Sequence, residues 1–287
     1  MAWLRLLRFS LLPTIVWDVT AGVFLSSGSF DSAWVRCLCI LLFTFHGGMI
    51  ANDIADRRVD ARFRPSRPIP SGSISLRAAS ILCLLFFSLA LALAQDLPTA
   101  PRTLSHILIS ISLLYNFGGK LIREWMGPAL LATARAGSLC LGALASLNVS
   151  ELASSGILWP AVVYSLFFLF TSRLAAHEEC GTSGMRGLAF VLVAVAAPLL
   201  LFNSPIASIS WIPLWLLLGV WLLEPLIPDR HSMWEPEKVQ RTVRRSLSSA
   251  PLIHSMALLS LGLWYPSLGG ALTLGLVHYL ARQFPPE

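Results

Sequence analysis

The sequence predicts an all-α protein: a polytopic transmembrane helical bundle of nine to ten helices that forms one domain over residues 1–287. Hydrophobic residues make up 55% of the chain and charged residues 13%, and the mean hydropathy is +0.70. The chain is therefore far more apolar than a soluble domain of this length. Apolar segments recur along it, most of them near the roughly 20 residues that a helix needs to cross hydrocarbon. Basic residues are concentrated in alternate connections, which is typical of a multi-pass membrane protein.

Ten apolar segments predict the individual helices. They are residues 9–27, 33–52, 74–94, 103–117, 128–148, 157–175, 187–203, 209–226, 246–264 and 267–282. The fourth, seventh and tenth are short, and only Tyr265 and Pro266 separate the last two. Nine crossings with one re-entrant or interfacial piece therefore remain an alternative to ten.

The basic residues predict the orientation of the bundle. With the N-terminus inside, 18 of the 21 Lys and Arg residues fall on the cytoplasmic side, Arg36 and Arg102 fall outside, and Arg135 lies within a span. Cytoplasmic loops of membrane proteins carry such an excess of Lys and Arg. We therefore expect an integral membrane, multi-pass protein in contact with membrane lipids, whose N-terminus and polar loops are cytoplasmic.

Charge and cysteine content exclude two other classes of function. The net charge of +6 follows from the basic loops of a membrane protein, so we expect no nucleic-acid partner. The five cysteines are odd in number, and Cys37, Cys39, Cys83 and Cys140 lie within apolar segments without CxxC or Cys/His spacing, which argues against a zinc site or a disulfide framework.

The stretch NDIADRRVDARFRPSRPIPSG, residues 52–72, follows the second apolar segment and carries the most specific pattern. If the helix continues through it, Asp53, Asp56 and Asp60 lie at i, i+3 and i+7 on one face, with Asn52 one turn from Asp56. Oxygen ligands of this kind suit Mg2+, which takes one or two carboxylates together with substrate phosphates. Arg67, in the basic run that follows, is a candidate phosphate ligand. The alternative is a solvated loop in which these acids pair with arginines.

The pattern NDxxDxxxD followed by RPIPSG resembles the first signature of the UbiA family of intramembrane prenyltransferases. The resemblance joins four polar positions at fixed offsets to a Pro-rich tail at the end of a hydrophobic helix. It implies a UbiA-like bundle in which Mg2+ at this motif binds a prenyl diphosphate.

A second polar cluster, YNFGGKLIREWMGP, covers residues 115–128. Lys120 and Arg123 are one helical step apart and can donate hydrogen bonds to a diphosphate, and Tyr115 can bind an acceptor or a phosphate oxygen. In the UbiA family, a Tyr followed by a basic residue at this position forms part of the active-site wall. The alternative is a positively charged anchor at the membrane interface.

Arg135 is an ionisable residue inside a span, where such side chains are costly and usually functional. The stretch RAGSLCLG resembles a family motif in the fifth helix, with Gly137 where the family usually has Asn, and this implies that Arg135 lines the pocket. An ion pair with Asp18 in the first span, or a side chain that reaches to the interface, is the alternative.

The second acidic signature of the family, DxxxD or DxxD after the sixth helix, is replaced here by RLAAHEECGTSGMRGL. Glu178 and Glu179 can ligate a second Mg2+. His177 suits a hydrogen bond to phosphate or substrate better than a magnesium site. The alternative is a solvated acidic loop.

These observations lead to one functional hypothesis and one alternative. A Mg2+-dependent enzyme would transfer a prenyl group from a polyprenyl diphosphate to a small acceptor, an aromatic quinone-precursor-like compound being the commonest choice among relatives. Asp53, Asp56, Lys120 and Tyr115 are the candidate catalytic residues. The candidate metal ligands are Asp53, Asp56, Asp60, Glu178 and Glu179. The candidate substrate-binding residues are Asn52, Arg67, Arg123, Arg135 and His177.

The alternative is a non-catalytic relative that binds or translocates an isoprenoid lipid. The oligomeric state does not follow from the sequence.

Overall fold

The structure, a computed structural model, describes residues 1–26, 28, 30–203 and 208–284, with the side chain of Lys120 outside the described part. Its α-helices are α1 (Ala2–Leu6), α2 (Leu12–Leu25), α3 (Ser32–Phe63), α4 (Leu76–Gln95), α5 (Thr99–Phe117), α6 (Gly119–Ala143), α7 (Val149–Ser154), α8 (Leu158–Ala175), α9 (Gly184–Ala196), α10 (Ile212–Leu223), α11 (Pro236–Ser249), α12 (Pro251–Ser260) and α13 (Trp264–Gln283). Three 3-10 segments, Phe9–Leu11, Ala197–Asn203 and Glu224–Leu226, and two short strands, β1 (Thr182–Ser183) and β2 (Met233–Trp234), complete the order.

The ten predicted segments fall on helical stretches, with residue 27 outside the described part of the chain, and the predicted all-α membrane bundle is confirmed. Within the described residues, four helical stretches are long and apolar enough to cross a membrane: Ser32–Phe63, Leu76–Gln95, Leu158–Ala175 and Gly184–Asn203. The stretches Phe9–Leu25 and Ile212–Leu226 are shorter and apolar. The segment 246–264 is divided between the end of α11 and the short helix α12.

The α2 and α6 helices form the seam between two hydrophobic clusters. One cluster joins α2 and α6 to helices from α8 onward, and the other joins them to α3, α4 and α5. Gly22 of α2 faces the backbone of Leu139, and Gly142 of α6 faces the backbone of Val19, without room for a Cβ at either position. Small residues thus allow the two backbones to approach closely, as in many membrane helix pairs.

The α3 helix carries the aspartates. The Asp31 side chain caps its N-terminus by accepting hydrogen bonds from the backbone N–H groups of Ala33 and Trp34 at 2.9 and 3.1 Å. Its 32 residues span about 48 Å, longer than the roughly 30 Å hydrocarbon core of a bilayer. The helix continues through Asp53, Asp56 and Asp60 and ends at Phe63, and its C-terminal turns extend beyond the length needed to cross.

The polar connections meet at one end of the bundle. The segment after α3 contacts the loop between α8 and α9 through Arg64 and Glu179, whose N and O atoms are 3.8 Å apart. In that loop β1 pairs antiparallel with β2, with Thr182 opposite Trp234. This ladder holds the start of α11 beside the α8–α9 loop, and Nε2 of Gln240 in α11 donates to the backbone oxygen of Glu178 in that loop at 3.2 Å.

Candidate active site

The acidic face of α3 has the predicted geometry. Asp53 and Asp60 are buried, with 5% and 2% of their surface exposed, and Asp56 is half-buried. Buried carboxylates require charged or hydrogen-bonding partners, since an isolated charge in an apolar environment is very costly. Arginines from three other segments supply these partners.

The Pro-rich segment after α3 returns one of these arginines to the helix. Arg67 is buried, and its Nη1 donates to Oδ2 of Asp60 at 2.7 Å and lies 3.5 Å from Oδ1 of Asp53. Backbone hydrogen bonds from Ser71 to Arg67 and from Ile74 to Pro68 hold this turn in place. The predicted phosphate ligand Arg67 is therefore an ion-pair partner of two of the predicted metal ligands.

Arg8, between α1 and the 3-10 turn, supplies the second arginine. Its Nη2 donates to Oδ1 of Asn52 at 3.4 Å and lies 3.5 Å from Oδ1 of Asp53. Its backbone is left-handed, with φ 48°, a conformation that costs a non-glycine residue about 1–2 kcal/mol. Arg8 is one of the 18 basic residues that the charge distribution assigns to the cytoplasmic side, and no local sequence pattern indicates its left-handed turn or its contact with α3.

Arg123 supplies the third arginine and joins the second polar cluster to the first. It forms an ion pair with Asp56, its Nη2 donates to the backbone oxygen of Asn116 at 3.3 Å, and its guanidinium lies 5.5 Å from the centre of the Tyr115 ring. The structure thus brings Tyr115 and Arg123 to the aspartate motif. The backbone of Lys120 lies in α6, and its predicted contact with a diphosphate falls outside the described side chains.

A cavity of about 360 Å³, the central cavity, opens between α2, α3, α5, α6, α8 and α11. Its apolar wall includes Ile15, Leu41, Phe45, Leu108, Ile111 and Phe168. Polar side chains also line it: Arg8, Tyr115, Asn116, Arg135 and Glu178. A ligand with an apolar chain and a charged head has the right chemistry for such a space.

Arg135 combines the two roles that the sequence left open. It lines the central cavity, and its Nη1 donates to Oδ2 of Asp18 at 2.7 Å. Oδ1 of Asp18 accepts from the Tyr164 hydroxyl at 2.6 Å and lies 3.0 Å from Nε2 of His254. Asp18 therefore joins helices α2, α6, α8 and α12 through one buried carboxylate.

A second cavity of about 530 Å³, the basic cavity, adjoins the first and shares Arg8, Leu11, Glu178, Val243 and Leu247 with it. Its arginines come from the N-terminal segment, the segment after α3, and α11. They are Arg8, Arg64, Arg67, Arg241, Arg244 and Arg245. The cavity is strongly electropositive, and one carboxylate, Glu178, lies among its described lining residues.

The predicted second acidic site is only partly assembled. Glu178 is half-buried and lines both cavities; burial raises its pKa, and Arg64, Arg244 and Arg8 oppose that effect. Glu179 is exposed and pairs with Arg64. His177 stacks on Phe190, outside the residues that line the two cavities, and burial followed by the charge of Arg186 lowers its pKa.

The aspartates have the chemistry for Mg2+ once a phosphate ligand completes the site. Oδ1 of Asp53 is buried and makes no hydrogen bond, with the guanidinium groups of Arg8 and Arg67 each 3.5 Å away, so a cation would bind there by displacing these arginines. Among the described residues, no three His, Cys, Asp or Glu side chains group closely enough to hold a metal ion alone. Mg2+ commonly uses only one or two carboxylates with waters and substrate phosphates, and this donor set fits that mode. The three aspartates are not among the described lining residues of either cavity, whereas Arg8 and Arg67, which contact Asp53, line the basic cavity.

Comparison with known proteins identifies the family. The model of the UbiA prenyltransferase family matches residues 15–228. The chain belongs to this family. Digeranylgeranylglyceryl phosphate synthase of Sulfolobus acidocaldarius is 25% identical to this chain over 240 residues, which cover 79% of this chain and 85% of the relative. 4-Hydroxybenzoate octaprenyltransferase of Aliivibrio salmonicida is 29% identical over 107 residues, or 36% of this chain and 38% of the relative.

Solved structures confirm the UbiA fold. A structure described for digeranylgeranylglyceryl phosphate synthase superposes with a TM-score of 0.64 at 20% identity, covering 94% of this chain and 97% of that one. A UbiA homologue from Archaeoglobus fulgidus bound to DMAPP and Mg2+ superposes with a TM-score of 0.58 at 16% identity, covering 91% and 99%. The resemblance predicted from the aspartate motif is confirmed, and the chain is an integral membrane member of a prenyltransferase family.

Proposed function

We propose that this UbiA-family protein transfers a prenyl group from a polyprenyl diphosphate to a small acceptor within the membrane, with Mg2+ as its cofactor. One observation carries the proposal: the aspartate face of α3 and arginines from three other segments converge beside the polar end of an apolar cavity. The donor has the same division of chemistry, with a charged diphosphate attached to a long apolar chain.

The proposed roles follow from this arrangement. Asp53 and Asp56, with Asp60 and Asn52 beside them, would hold Mg2+, and Glu178 and Glu179 would assist at a second metal. Arg67, Arg123 and Lys120 would bind the diphosphate, and Arg8 joins this group because it reaches Asn52 and Asp53. Tyr115 and Arg135 line the central cavity, where the acceptor and the first isoprene units would lie. His177 remains a proposed substrate ligand that requires movement away from Phe190.

The reaction breaks the bond between the allylic carbon and the diphosphate oxygen, and the diphosphate leaves with the electron pair. The acceptor then forms a bond to that carbon and loses a proton. Bound Mg2+ supplies positive charge that stabilises the leaving group. The arginines around the aspartates stabilise the same developing charge, and the apolar wall keeps water from the carbocation-like carbon.

Two acceptor classes are consistent with the relatives. An aromatic, quinone-precursor-like acceptor agrees with the name of the Aliivibrio salmonicida relative, which matches about a third of the chain. A phosphorylated glyceryl lipid agrees with the name of the Sulfolobus acidocaldarius relative, which matches most of it.

A non-catalytic isoprenoid carrier is the second candidate, and the ion pairs favour it. Asp53, Asp56 and Asp60 each have an arginine partner, and the second acidic segment contains Glu178 and Glu179 instead of aspartates. A protein that only held a prenyl chain would not need a freely available metal site.

Diphosphate release by the purified full-length protein separates these functions. Wild type, Asp53→Ala, Glu178→Ala and the control Asp96→Ala are incubated with prenyl diphosphates of several lengths and both acceptor classes, with Mg2+ or EDTA. We expect release by wild type and the control, abolition by EDTA, and a loss of at least about 100-fold in Asp53→Ala. Donor binding without release, unaffected by EDTA, would establish the carrier instead.

A further inference from the structure

The basic cavity contains more positive charge than the aspartate motif neutralises. Arg8, Arg64 and Arg67 have carboxylate partners in Asp53 and Asp60. Among the described residues, no carboxylate lies within ion-pair distance of Arg241 or Arg244 of α11. The α11 side of the cavity therefore carries excess positive charge, and Glu178 is the one carboxylate among the described lining residues.

Arg241 and Arg244 lie on α11 at the lining of the cavity and are exposed to solvent. Val239, Thr242, Val243, Ser246 and Ser249 form its buried face. Arg241 and Arg244 flank that face and line the cavity.

The Arg245 side chain packs on an aromatic ring that also lines the basic cavity. Its guanidinium lies 3.7 Å from the centre of the Trp221 ring, and its Nε is buried without a hydrogen-bond partner. An arginine held on an aromatic face has lost part of its conformational freedom before any ligand binds. A phosphate oxygen would satisfy such a donor, since arginine binds phosphate through several N–H groups.

The remaining lining residues define what is attached to the anion. Leu11, Trp221, Val243, Leu247, Val277 and Ala281 give the cavity an apolar portion. The shared residues Arg8 and Glu178 connect it to the central cavity. A phosphate in the basic cavity could thus extend an apolar or glyceryl stem towards the prenyl donor.

We propose that the basic cavity binds the phosphate group of a second, lipid-like ligand, with Arg241, Arg244 and Arg245 as its ligands, beside the prenyl diphosphate. This phosphate belongs either to the acceptor or to a bilayer phospholipid. The acceptor assignment rests on the proposed function and selects the phosphorylated class of acceptor. The binding site itself does not depend on catalysis.

The binding test uses full-length protein in phospholipid-free detergent, without Mg2+ or prenyl diphosphate. Dihexanoyl phosphatidic acid is titrated by calorimetry, with dihexanoylglycerol as the probe that lacks phosphate. Variants are Arg241→Gln/Arg244→Gln and the control Arg186→Gln, an exposed arginine in the first turn of α9 outside the cavity. We expect saturable binding of the phosphatidic acid alone, at least about tenfold weaker in the double variant and unchanged in the control. Equal affinity in wild type and double variant, or no saturable binding, overturns the proposal.

Two further measurements identify the source of the phosphate and separate this site from the proposed function. If the double variant raises KM for a phosphorylated acceptor but leaves KM for the prenyl diphosphate unchanged, the phosphate is that of the acceptor. If both KM values stay constant and phosphatidylglycerol nanodiscs protect backbone amides of α11 from hydrogen exchange more than phosphatidylcholine nanodiscs do, the phosphate is that of a bilayer lipid. If the protein turns over substrate and shows neither effect, the inference is contradicted. Retained phosphate binding in a protein that releases no diphosphate contradicts only the proposed function.

Discussion

Asp18 shows how one buried residue holds the site together. Arg135, Tyr164, Ser138 and His254 all contact its carboxylate, from α6, α8 and α12. Removing one member of a buried ion pair leaves the other charge without compensation, which is more destabilising than the net worth of the pair.

We expect Asp18→Asn to lower the free energy of unfolding by about 3–5 kcal/mol, because Arg135 then lacks a charged partner. Unfolding by SDS in mixed micelles measures the change. Asp96→Asn, at an exposed residue after α4, is the matched control and should change the free energy by no more than about 0.5 kcal/mol. Equal stability of the two variants would show that the Asp18 network does not stabilise the bundle.

Helical periodicity was sufficient to predict that Asp53, Asp56 and Asp60 share one face. The hydropathy pattern identified Arg135 and Asp18 as possible partners, because both are ionisable residues in apolar segments. It did not predict the role of Arg8, which depends on a left-handed turn and on the return of the N-terminal segment to α3. Contacts between distant segments of this kind have no local sequence pattern.

At the scale of elements, the helices were predictable and their close approaches were not. Hydropathy identifies α2 and α6, but the seam between them depends on the absence of a Cβ at Gly22 and Gly142. Glycines are common in membrane helices, so their presence alone does not select a packing partner. The basic helix α11 is amphipathic, and its position beside the basic cavity depends on the long-range β1–β2 pairing, which has no local sequence signal.

We expect Gly142→Ala to destabilise the bundle by about 1–3 kcal/mol, because the added methyl group meets the backbone of Val19 and separates α2 from α6. Gly275→Ala in α13 is the matched control, since nothing lies within 4 Å of a Cβ at that position. The control should be neutral or more stable by up to about 1 kcal/mol, as expected from helix propensity. SDS unfolding compares the two; a Gly142→Ala protein as stable as Gly275→Ala would refute the close approach.

At the scale of the whole molecule, the apolar segments and the distribution of basic residues lead to one proposed orientation. The structure gathers Arg8, the end of α3, the α8–α9 loop and α11 at a common end. These are the segments that the charge distribution assigns to the cytoplasm.

Cys180 provides a natural reporter of this orientation. Among the five cysteines it is the exposed one, and it lies in the α8–α9 loop. We expect a membrane-impermeant maleimide to label it in inside-out vesicles and not in right-side-out vesicles, with Cys180→Ser as the unlabelled control. Labelling only in right-side-out vesicles would reverse the proposed orientation.

The central claim is that the carboxylates at the end of α3 bind the prenyl diphosphate through Mg2+. Its most direct test is equilibrium binding of a non-cleavable prenyl thiolodiphosphate to the purified protein, with Mg2+ or EDTA, in wild type, Asp53→Asn and Asp96→Asn. We predict that EDTA weakens binding at least about tenfold in wild type and Asp96→Asn, whereas Asp53→Asn binds weakly in both conditions. Wild-type affinity and wild-type Mg2+ dependence in Asp53→Asn would contradict the account.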